Sequence, residues 1–146
     1  MLEVTLRNAM NDQLTAYAQR PDWWNANVGL HPFETRRIHE AIHEVTIQKG
    51  SSATPGHVVA ELSFGFWTSL LANKYHQRLW VPVLQYAFPR IAGTRRDLHR
   101  DLERLRRPSP YSEIGQRSQK GKQRTQRREI VAACNHPTAS VYLLYR

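Results

Sequence analysis

The sequence predicts an all-α protein, a small helical bundle, from three observations. Apolar residues recur at three- and four-residue steps in separate segments of the first 107 residues, the spacing that lines one face of a helix. No segment shows the period-two alternation of a half-buried strand. Residues suited to opening a helix, Thr54 with Pro55 and Thr94 with Asp97, stand at the head of two apolar segments. A length of 146 residues gives room for one modest domain, and 40% hydrophobic residues suffice for its core.

Taken in order, Leu2, Leu6, Met10, Leu14 and Tyr17 make the first stripe, and Pro21 stops that helix. The stripe begins without a capping residue, as in an ordinary frayed N-terminal helix or in a chain that has lost an earlier one. The loop Arg20-Pro-Asp-Trp-Trp24 through His31-Pro32 follows. Its paired tryptophans suit a hydrophobic lid folded back on the body, or a stacking platform for bases. Ile38, Ala41, Ile42 and Val45 form the face of a second helix, about Phe33 to Lys49, with Gly50 as its stop. Thr54 and Pro55 open the next. From Val58 to about Leu71 the chain is at its most apolar and predicts one central, buried helix, with Gly65 marking close approach of a neighbour. A short helical piece from Leu79 to Tyr86 carries Pro82 and ends by Pro89. Thr94 and Asp97 then cap a helix whose Leu98, Leu102 and Leu105 face inward until Pro108.

Composition changes at Pro108-Ser-Pro110. Residues 1–107 carry a net charge of +4 and residues 108–146 a net charge of +5, with all four Trp and all four Phe before residue 108. The expected division is a helical domain, 1–107, followed by a poorly structured basic tail, 108–146. Arg117, Lys120, Lys122, Arg124, Arg127 and Arg128 lie within twelve residues there. Such a run suits either contact with a phosphate backbone or a solvated segment.

Several function classes are excluded or weakened. One cysteine rules out a disulfide framework and any Cys-rich zinc module. No apolar run approaches the roughly 20 residues of a membrane span, and no signal peptide is visible, so a cytoplasmic protein without a membrane partner is expected. Neither G-x-x-x-x-G-K-[ST] nor G-x-G-x-x-G occurs, and no small-molecule cofactor is expected. His39-Glu40-Ala41-Ile42-His43 matches the H-E-x-x-H pattern, which sets two imidazoles on one helix face beside a glutamate, with Glu61 downstream as a third ligand. Arg36 and Arg37, one turn away, would repel a dication, so the pattern stands as a remote zinc-hydrolase alternative. Glu61, read as buried, needs a partner such as Arg7 or Asn8. Cys134-Asn-His136 sets a thiol beside an imidazole in sequence only.

Glu61-Leu-Ser-Phe-Gly-Phe-Trp67, Leu70-Leu71, Tyr75, Arg78-Leu-Trp80 and Ala87-Phe-Pro89 together resemble the Abi-like (abortive infection) family of bacteria, in the HEPN superfamily. Val4-Thr-Leu-Arg-Asn-Ala-Met10 resembles that family's first-helix signature, and Arg20-Pro-Asp-Trp-Trp24 its following loop. The resemblance covers residues 2–107. It implies a HEPN-like bundle, a role in phage defence of the toxin–antitoxin kind, RNA as the target, and a homodimer. Active members of the superfamily are metal-independent ribonucleases. Their Arg, usually followed by Asn, steadies the phosphate, and a His four to six residues after the Arg moves a proton. Here Pro108-Ser-Pro110 follows Leu105-Arg-Arg107 in place of that motif. Arg36 and Arg37 precede His43 by seven and six residues but lie on the wrong helix, so no catalytic residue is carried over. An abrupt change of this kind is what a reading-frame shift near codon 107 would produce, with an incomplete bundle as its result. The expectation is an Abi-like, RNA-directed protein without ribonuclease activity. The alternative is a non-catalytic nucleic-acid-binding protein that uses Lys120, Lys122, Arg124, Arg127 and Arg128.

Overall fold

A computed structural model describes residues 2–107 and 116–134, and of residues 116–119 the backbone alone. Among the described residues the chain forms six α-helices and no strand: α1 (Leu2–Ala18), α2 (Pro32–Lys49), α3 (Pro55–Glu61), α4 (Phe64–Ser69), α5 (Arg95–Arg106) and α6 (Gln116–Ala133). Short 3-10 and π-helical turns lie between α1 and α2, between α2 and α3, and between α4 and α5. The all-helical class is the one expected from the periodicity. No described helix is long and apolar enough to cross a membrane.

Helix α1 buries Leu2, Leu6, Met10 and Leu14, while Tyr17 at the end of the stripe is half exposed. Gln19, at a φ of 56°, turns the chain out of the helix ahead of Pro21. Trp23 is fully buried, and its indole N–H donates to Asn11 on α1. Its ring meets Trp24 and Trp67 at centroid distances of 5.4 and 6.2 Å. This tryptophan has the place of a lid, with its polar edge satisfied. Helix α2 starts with Pro32 at its first position and ends at Gly50, whose φ of 55° favours glycine.

The apolar stretch after Val58 is two helices, not the single one predicted. Ser63 stands at φ −70°, ψ 159°, and its hydroxyl accepts from the Phe66 N–H. A serine oxygen that caps a new helix competes with continuation of the old one. Uniformly apolar neighbours hide such a break from a periodicity reading. The turn swings Phe66 and Trp67 into the core and leaves Glu61, the last residue of α3, exposed. The expected burial of Glu61 against Arg7 or Asn8 is therefore corrected; Arg7 bonds the Asn8 side chain instead. The close helix approach expected at Gly65 is not found: a Cβ there would meet the Arg106 side chain of α5 at 3.4 Å, an ordinary contact with the end of a flexible side chain.

The piece expected around Leu79–Tyr86 divides into a π-helical turn, His76–Trp80, and a 3-10 turn, Leu84–Ala87. Pro82 between them lacks the N–H that a continuous helix would use. Leu79, Leu84 and Phe88 from these turns are buried against the rest of the core. Helix α5 opens with both halves of a capping box, Thr94 with Asp97, and buries Leu98, Leu102 and Leu105.

The expectation of a poorly structured tail is corrected for its described residues, 116–134. Residues 116–133 form a helix, and its C-terminal end buries Ile130, Val131, Ala133 and Cys134. That apolar end packs on α1 and α5. In the sequence the six cations before it dominate the composition and mask this apolar end. The Pro108-Ser-Pro110 break and residues 135–146, including His136, lie outside the described residues.

Candidate nucleic-acid interface

With Ile130, Val131, Ala133 and Cys134 of the last turn buried, residues 120–129 are exposed apart from half-buried Gln126. Lys120, Arg124, Arg127 and Arg128 follow one another at i, i+4, i+7 and i+8, the spacing that places them on one face. Lys122 lies off that stripe. All five are exposed, and none makes an ion pair among the described residues. Glu129 is the one acid in the helix sequence. At about 1.5 Å rise per residue the stripe runs for about 12 Å. Over that length a duplex presents roughly seven phosphate charges. The side chain of Arg117 lies outside the described residues.

Ion pairs in the body are turned inward or consumed locally. Glu34, 1% exposed, accepts from Lys74 Nζ at 2.8 and 3.0 Å and from the Tyr75 hydroxyl at 2.6 Å. The same hydroxyl accepts from the His31 backbone N–H at 2.9 Å. Burial pushes the Glu34 carboxyl up, but the Lys74 and Tyr75 bonds together outweigh it and hold the group below its ordinary value. Burial first, and then the Glu34 bond, push the Tyr75 phenol well above its ordinary range. Glu103 joins Arg106 on its own helix to the buried Thr68 hydroxyl of α4. The Arg106 bond holds its carboxyl low despite partial burial.

The other side chains singled out by sequence stay apart. His39, Glu40 and His43 lie on the exposed side of α2, and Glu40 pairs with Arg37 at 3.2 Å. Among the described residues no three His, Cys, Asp or Glu side chains gather to hold a metal. Arg36 and Arg37 are exposed, as is His43. Cys134 is buried with its thiol directed to the Ile130 carbonyl, and burial pushes its pKa up to about 12, far from a reactive thiolate.

Two polar residues escaped sequence reading: Glu34 and Arg95. Each extends an apolar stripe one turn toward the helix start, Glu34 ahead of Ile38 and Arg95 ahead of Leu98. Arg95 is only 8% exposed and reaches the Leu71 carbonyl, the Asn73 amide oxygen and His76 Nδ1. Comparison with family models, curated proteins and solved structures gives no match to this chain.

Proposed function

We propose that this chain binds nucleic acid, without cleaving it, through the cationic face of α6. The observation that carries the reading is the row Lys120, Arg124, Arg127 and Arg128, exposed and without carboxylate partners among the described residues, on a helix whose C-terminal end is packed in the core. A helix anchored in this way offers its charges in a fixed array, so less side-chain and backbone freedom is lost on binding than from a free tail. The resemblance of residues 2–107 to the Abi-like family supports RNA as the nucleic acid, phage defence as the setting and a homodimer as the assembly. Pro108-Ser-Pro110, standing where that family places its Arg-Asn and His, supports binding without hydrolysis.

Fluorescence anisotropy of labelled RNA tests the reading. Four phosphate contacts give a log–log dependence of affinity on salt with a slope of about −2.8 on a single strand and about −3.6 on a duplex. Replacing Lys120, Arg124, Arg127 and Arg128 together by Gln removes most of that slope and of the affinity, and the RNA stays intact throughout. Unchanged affinity in the fourfold variant overturns the assignment to α6. RNA cleavage in excess chelator, retained after repurification, overturns the non-catalytic part.

A further inference from the structure

A cavity of about 720 Å³ opens between the turns that follow α4 and the start of α5. Its walls include Asn73, His76, Trp80, Phe88, Arg95 and Arg96, and no acid is among its lining residues. Its size falls within the range of small-ligand sites. The buried Arg95 is the unusual member. Its three hydrogen bonds go to a carbonyl, an amide oxygen and an imidazole nitrogen, all neutral. Buried charges in proteins are ordinarily paired with an opposite charge, because an uncompensated one costs several kcal/mol. The guanidinium has five N–H donors, and these bonds occupy three. Asp97, the acid on the same turn, is engaged by the Thr94 N–H and hydroxyl and by Arg100.

Other lining groups extend the same chemistry. His76 Nδ1 accepts from the Arg95 Nε–H at 3.1 Å, which places a neutral ring's proton on Nε2 and makes that atom a donor. Arg96 supplies a second guanidinium on an exposed residue of the wall. The first turn of α5 adds the positive end of a helix dipole. Among the same lining residues, the Trp80 ring is stacked on Phe88 at 6.1 Å with 21° between planes, which gives the wall a flat aromatic surface.

The geometry points to a binding site for a small phosphorylated molecule with a flat ring, its phosphate on Arg95, Arg96 and His76 and its ring against Trp80. A mononucleotide has this chemistry. The site is separate from the α6 face and stands whether or not that face binds RNA.

Isothermal titration of the full chain with AMP, inorganic phosphate and adenosine tests it. AMP should bind saturably with a dissociation constant of about 1 mM or tighter, and roughly tenfold or more tighter than either phosphate or adenosine. Arg96→Ala, at an exposed position that the fold does not need, should weaken AMP about tenfold or more. Arg95→Lys, which keeps a cation but loses the planar fork, should weaken it further. Should Arg95→Lys fail to fold, Arg96→Ala decides. The fourfold α6 variant should bind AMP as the parent does. No saturable AMP binding, equal binding of adenosine, equal binding of phosphate alone, indifference to Arg96→Ala, or loss of AMP binding in the α6 variant would each overturn the inference.

Discussion

Helices α2 and α6 each have 18 residues, and both bury an apolar group while keeping charges, yet they handle those charges in opposite ways. On α2 the acid that faces inward, Glu34, is matched by Lys74 and Tyr75, and surface Glu40 is matched by Arg37. On α6 Lys120, Lys122, Arg124, Arg127 and Arg128 pair with no acid among the described residues, and the buried apolar group lies in the last turn. A matched helix spends its electrostatics on holding the fold. An unmatched one contributes little to stability through its charges, repels itself slightly, and presents its field outward. The comparison shows why net charge alone says little about partners: the surplus counts where no internal carboxylate absorbs it.

The sharpest way to break this contrast is to compare core losses at the two ends. Trp67, fully buried between Trp23 and Phe66, should cost about 3–5 kcal/mol on replacement by Ala. Ile130→Ala, at the docked end of α6, should cost about 2 kcal/mol or less, since that site can relax toward solvent. Urea unfolding of both variants checks the order; an Ile130 loss equal to that of Trp67 would make α6 part of the central core.

Next in size is Glu34→Ala, which strands the Tyr75 hydroxyl and leaves Lys74 without its partner. We expect about 3 kcal/mol of destabilisation by the same measurement. The pH dependence has a definite sign. Because the folded carboxyl is held below its ordinary value of 4.5, its contribution is complete above that pH and is lost as pH falls through the folded value. The difference in stability between parent and Glu34→Gln should therefore shrink on acidification below about pH 4.5. A difference that is flat across that range would show that Glu34 acts by shape alone.

The smallest effect concerns Thr5, whose hydroxyl is fully buried on α1 without a partner among the described residues. Thr5→Val keeps the shape and removes the unpaired oxygen, so stability should change by no more than about 0.5 kcal/mol or rise. A loss of about 2 kcal/mol would show that this hydroxyl is bonded in solution.

Local signals in the sequence predicted the local features well. The stripe on α1, the Gly50 stop, the Thr54 and Thr94 caps and the leucines of α5 all depend on residues within a turn or two of one another. Ser63 was not readable, because its capping role is visible only where the flanking residues change character, and here they are apolar on both sides. Glu34 and Arg95 sit in register with apolar stripes, but their partners are 40 and 22 residues away for Lys74 and Asn73, beyond what spacing reveals. The cations of α6 were plain in the sequence. Their arrangement was not, since it depends on a helix that forms because its far end finds a place on α1 and α5.

That far end carries the chain's single cysteine. A thiol held protonated and covered at neutral pH meets an alkylating reagent only in molecules whose last helix has lifted. Cys134 is thus a natural stopwatch: its modification rate counts how often α6 lets go, without any label.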